Sequence, residues 1–142
     1  MNWLYILDGF HGRISRQTFW IAMGTVLLAN VVVCYAAQQI QGDQLNAIAD
    51  LAFTYPEFAI AVKRANDRNL PLWLLGIFFA ASALLDLFSV LGWAGTDEAP
   101  STLAIAVSVP FTILGLALLI ELGFRKGSPG PNPHGADPLA GQ

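Results

Sequence analysis

Only 12% of the 142 residues are charged and 55% are hydrophobic, about half the charge of a water-soluble domain, where charged residues average roughly 25%. With a net charge of −3 and a pI near 5.1, the chain lacks the electrostatic footprint of a nucleic-acid binder, and its single cysteine excludes a disulfide framework. The length fits one domain, and the solvent that suits its composition is the bilayer.

Residues 1–12 place Trp3, Leu4, Leu7 and Phe10 at helical spacing. The pattern predicts a short interfacial helix, with Trp3 and Tyr5 at the headgroup level that aromatic rings prefer. Gly12 breaks it, and Arg13 and Arg16 precede a run without charge from Gln17 to Gly42. Phe19 to Gln38 supplies about 20 positions, enough to cross a ~30 Å hydrocarbon core. A cleaved signal peptide is disfavoured, because its apolar run is typically only about 7–15 residues. Cys34 inside the run reads as a structural thiol.

The expected fold is all-α, a membrane bundle of four transmembrane helices at about 17–38, 45–62, 71–93 and 101–124. Residues 1–126 form the bundle and 127–142 an irregular Gly/Pro-rich tail. The second span has the lowest hydropathy, since it holds Asp50, Pro56 and Glu57, and a kink is expected at Pro56. Lys63-Arg64 ends it and opens a basic loop. Asn69 is read as the cap of the third span, with Trp73 and Trp93 at its two interfaces. Gly76, Ala80 and Ala83 would form a close-approach face there, and Ala104, Ser108 and Gly115 a second one on the fourth span. Gly95 to Pro100 makes the turn between these spans, and Pro110 is expected to bend the last.

Alternating the segments across the membrane puts all seven basic residues on one side and Asp43, Asp97 and Glu98 on the other. By the positive-inside rule both termini are cytoplasmic. The expected location is a bacterial inner membrane, crossed several times, with the basic face on anionic headgroups.

Gly12-Arg13-Ile14-Ser15-Arg16 leading to Phe19-Trp20, Lys63-Arg64 with Asp67 and Trp73, and Gly127, Gly130, Asn132, Gly135, Asp137 and Pro138 occur in that order. Together they resemble the bacterial membrane family called domain of unknown function 805, over nearly the whole chain. The resemblance implies a small inner-membrane protein of unassigned activity. Ala65 and Asn66 stand where that family usually has Leu and His.

All three motifs fall on the cytoplasmic side, so they are expected to assemble. Arg13 and Arg16 would pair with Asp67, and Asp137 with Arg64 or Arg68, as a structural clamp. The sharper alternative is an anionic-lipid or small-anion site built from Arg13, Arg16, Lys63, Arg64 and Arg68, since the planar fork of a guanidinium binds carboxylate or phosphate in a bidentate way. Inside the membrane, Glu57 lies about 9 Å from the basic end and Asp86 about 22 Å. Intramembrane acids are costly and often functional, which would suit a small proton-coupled transporter or ion path.

No catalytic residue stands out, and an enzyme is not expected. His11 and His134 lack metal-ligand spacing, and no cofactor motif is present. The expected partners are the bilayer and its anionic headgroups, not nucleic acid, with a homo-oligomer or another membrane protein as further options.

Overall fold

The computed structural model describes residues 2–41, 43–93 and 101–140, so the Gly95 to Pro100 turn, with Asp97 and Glu98, lies outside the described residues. Among the described residues five helices follow one another: α1 (Trp3–Leu7), α2 (Arg16–Gln41), α3 (Asp43–Arg68), α4 (Trp73–Val90) and α5 (Thr102–Gly123). Three are long and apolar enough to cross a membrane, over Arg16–Ile40, Trp73–Val90 and Ile105–Gly123. At 1.5 Å per residue, the 26 residues of α2 reach about 39 Å and the 18 of α4 about 27 Å.

α3 packs along both α2 and α4, and α5 rests more lightly on the other three long helices. The core is concentrated at one end of the bundle. Phe19, Ala22, Met23 and Val26 of α2 meet Ile60, Ala61, Val62 and Ala65 of α3, with Leu75, Leu118 and Leu122 closing the layer. Elsewhere the apolar surface points outward, including Leu28, Val31, Ile77, Ile113 and Ile120, the distribution that a lipid environment tolerates.

The structure moves several boundaries. The basic segment after Val62 is no loop: α3 continues unbroken through Pro56 and through Lys63, Arg64 and Asp67 to Arg68. Its true end is at Asn69, the one non-glycine residue with positive φ (54°) among those described. The Leu70 amide donates to Ala65 O (3.0 Å) and the Asn69 amide to Asn66 O (3.2 Å), the paired bonds of a Schellman C-cap. Asn69 therefore closes α3 and does not cap α4, whose N-cap position is Leu72 without a side-chain bond. α4 ends in the same way, with Gly92 at φ 74° and the Trp93 amide on Phe88 O.

α1 is shorter than the aromatic spacing implied, because the chain turns extended at Asp8 and left-handed at Gly9. Ile6 is its buried residue, while Trp3 and Leu4 are exposed. The Gly76 face of α4 is also open: a β-carbon there would meet nothing within 4 Å, and Ala80 is exposed. On α5, Gly115 receives the Phe78 ring, Ser108 turns outward to Ile105 O, and the Ala104 side chain lies outside the described residues.

Candidate functional site: a buried polar clasp at one end of the bundle

Arg13, Lys63, Arg64, Asn66 and Asp67 are all buried, an unusual concentration of polar side chains for one end of a helical bundle. Asp67, on the last turn of α3, is the common acceptor. Arg13 donates to its Oδ1 from Nε (3.1 Å) and Nη2 (2.9 Å), while Arg64, one turn back on the same helix, donates to Oδ2. Two guanidiniums on one carboxylate leave a local excess of positive charge, and the backbone offsets it. Arg13 also donates to Ser128 O (2.7 Å), Gly130 O (2.7 Å) and Gly135 O (3.2 Å); Arg64 donates to Leu122 O (2.7 Å) and Arg125 O (2.6 Å).

These carbonyls come from the end of α5 and from the tail, which is why the tail lies against the bundle despite its prolines. Its own bonds return the grip: the Ser128 amide (2.8 Å) and hydroxyl (3.0 Å) donate to Asp67 O, and Asn132 Nδ2 donates to Asn66 O (2.9 Å). Gly127 sits so close to Asp67 that a β-carbon there would fall 2.0 Å from Oδ2. Asn132 and Gly135 exchange a small antiparallel bridge, and Asp137 accepts the Gly130 amide (2.9 Å) and the Leu139 amide (2.9 Å). These two amides, Leu139 first, hold the Asp137 carboxyl below its ordinary range.

Lys63 ties down the other flank. Its ammonium donates to Ile6 O (3.1 Å), Asp8 O (2.9 Å) and Gly9 O (2.8 Å), and lies 5.3 Å from the centre of the Tyr5 ring. Burial pushes this amine down from the ordinary lysine value, against an upward pull from Asp8. Asn66 Nδ2 donates to Phe10 O (3.0 Å) and Gly12 O (3.1 Å), and Tyr5 Oη pairs with the Arg13 backbone.

Several expected pairings differ. Arg16 does not reach Asp67; it donates to Phe124 O (3.2 Å) at the surface. Asp137 meets neither Arg64 nor Arg68, because the turn amides take both its oxygens. Arg68 instead pairs with Glu121 of α5, which Arg125 also contacts (2.7 Å). Arg13, Lys63 and Arg64 are buried and fully engaged, so an anion site made from all five cations is not assembled.

The acids Asp50 and Glu57 of α3 form a second group. Asn30 of α2 donates from Nδ2 to Asp50 Oδ1 (2.7 Å) and more weakly to Glu57 Oε1 (3.4 Å), and the Cys34 thiol lies 3.0 Å from Asn30 Oδ1. Asp86 of α4 has its Oδ2 buried without a hydrogen-bond partner among the described residues. Asn30, Asp50 and Glu57 border a cavity of about 490 Å³ whose other walls are mainly apolar, including Phe19, Phe78 and Phe111. Asn30 is the member that sequence reading missed, although a lone amide inside a long apolar run was its signal.

With this geometry in view, the match to known families is informative. The model of a protein family of unknown function, DUF805, matches residues 7–136, which include both arginines, all of α3 and the docked tail. The chain belongs to the DUF805 family. It is 31% identical over 141 residues to the uncharacterized protein YiiR of Escherichia coli strain K12, covering 96% of this chain and 88% of YiiR. YiiR of Escherichia coli O157:H7 matches to the same extent. No solved structure matches the chain. The matched range takes in Arg13, Lys63 to Asp67 and the tail carbonyls as far as Gly135.

Proposed function

We propose that this DUF805 protein is an integral protein of the bacterial inner membrane with a structural or interaction role, in which four helices cross the bilayer and both termini lie in the cytoplasm. α3 is the fourth crossing. Support comes from the helix order: α2 and α3 are equally long and joined directly, and the N-terminal segment, the end of α3 and the tail meet at one end. Its acids turn toward Asn30, which lowers the cost of placing them among lipid tails.

The observation that carries the role is the shared grip of Arg13 and Arg64 on Asp67, sealed by tail carbonyls. Its chemistry is that of a fastener. Every guanidinium nitrogen of the two arginines is committed to protein. The clasp fixes a rigid cytoplasmic surface, and the cations left exposed around it contact anionic lipid.

Asp67→Asn tests this reading in detergent. Loss of the folded bundle is expected; a variant that stays folded and gains affinity for phosphate would overturn it. Single-cysteine labelling from either side checks the topology, with Asn69 and Ser128 expected on the cytoplasmic side together.

A further inference from the structure

Counting which cations are spent leaves two that are not. Arg13, Lys63 and Arg64 are buried on carbonyls and Asp67, while Arg68 and Arg125 share Glu121. Arg16 gives one N–H to Phe124 O, and the Lys126 ammonium has no acceptor among the described residues. Both line a cavity of about 360 Å³ between the start of α2 and the tail.

Two acids also border this cavity, against three cations, Arg16, Arg64 and Lys126. Asp67 is divided between Arg13 and Arg64, and Asp137 takes the Gly130 and Leu139 amides and pairs with neither Arg16 nor Lys126. The space thus retains a positive wall. It also has a sideways continuation: a second cavity of about 450 Å³ shares Ser15, Arg16 and Leu139 with the first and runs over Trp20 and Phe124. The Trp20 indole N–H donates to Gly123 O (3.0 Å), and its ring packs edge-on against Phe124 with centroids 5.3 Å apart, so the apolar wall is fixed in place.

We propose that these two cavities bind one anionic phospholipid, with the phosphate between Arg16 and Lys126 and the first part of an acyl chain over Trp20 and Phe124. A guanidinium presents paired N–H donors to phosphate oxygens, and an ammonium adds a point charge. A tryptophan beside them marks the depth at which headgroup gives way to hydrocarbon. A soluble phosphate ester would use only the space between Arg16 and Lys126 and leave the trough over Trp20 and Phe124 empty, which is why the occupant is a lipid. This inference rests on the membrane reading above.

The test is native mass spectrometry of the full chain extracted in mild detergent and supplied with phosphatidylglycerol or phosphatidylcholine. Wild type is expected to retain one phosphatidylglycerol and no phosphatidylcholine. Arg16→Gln and Lys126→Gln should each lower retention on the order of tenfold, the scale of a lost charge-assisted hydrogen bond. Arg125→Gln removes the same charge one residue away, outside the cavity, and should retain lipid as wild type does. Equal loss in Arg125→Gln, undiminished retention in the other two, retention of a water-soluble phosphate compound instead, or no retained lipid at all would each overturn the site. Carbonate washing separates the two readings: a chain that leaves the membrane fraction overturns the membrane assignment itself, whereas a firmly embedded chain that retains no lipid overturns only the site.

Discussion

Arg13 Nη2 lies 2.9 Å from Asp67 Oδ1 with both side chains withdrawn from solvent, at 1% and 4% exposure, although 54 residues separate them in sequence. A buried ion pair is not by itself a large gain, since desolvation opposes the attraction. Breaking one is different, because the surviving charge stays buried. Asp67→Asn and Asp67→Ala should therefore destabilise the bundle by about 3–5 kcal/mol. A fall in thermal midpoint in detergent would show it, and a shift equivalent to less than about 1 kcal/mol, the scale of a surface pair, would refute it.

Gly127→Ala should release the tail while sparing the helices. The new methyl would fall on a carboxylate that two arginines hold in position, so the tail must give way. Limited proteolysis should cut the variant between residues 127 and 140 at enzyme concentrations that leave wild type whole. Gly24→Ala, where a β-carbon meets nothing within 4 Å, serves as the neutral control.

Lys63→Met keeps the apolar stem and removes the ammonium, leaving the carbonyls of Ile6, Asp8 and Gly9 without their donor. An unmet buried carbonyl costs about 1–3 kcal/mol. Hydrogen exchange should accelerate over residues 3–10 and remain slow in the middle of α2. Uniform acceleration through the bundle would mean that Lys63 supports the core instead.

Acid should loosen the tail through Asp137. Its folded value is depressed by the Leu139 and Gly130 amides, so its contribution is complete above the ordinary carboxylate value of 3.8 and is lost as pH falls through the lower folded value. Tail protection measured from pH 6 down to pH 2 should drop over that lower range, and Asp137→Asn should remove this part of the dependence. An identical profile in the variant would assign the transition to another carboxylate.

Asn30→Leu should weaken the packing of α2 on α3 by about 0.6–1.7 kcal/mol, the range for side-chain hydrogen bonds between membrane helices. Unfolding in mixed micelles measures it. A more stable variant would show that the amide serves something other than helix association.

Helix content was legible because runs such as Phe19 to Gln38 are too apolar and too long for another outcome. The meeting of Arg13 with Asp67 was legible because charge sidedness brought three motifs to one face. What escaped was local. A stretch as polar as Lys63 to Arg68 reads as a loop when each residue is judged against lipid, yet it is helical because its charges find partners inside the protein. Asp137 was misassigned because backbone amides two and seven residues away compete with distant arginines, and nothing in the spacing ranks them. Glu121 pairs with Arg68 because α5 lies beside the end of α3, a relation across 53 residues that no local pattern carries.

The carbonyls that complete the Arg13 and Arg64 coordination, from Leu122 to Gly135, are synthesised well after both arginines. A nascent chain that holds α2 and α3 alone therefore leaves two guanidiniums only partly coordinated, and they become enclosed when residues 122–135 emerge from the ribosome and fold back on them.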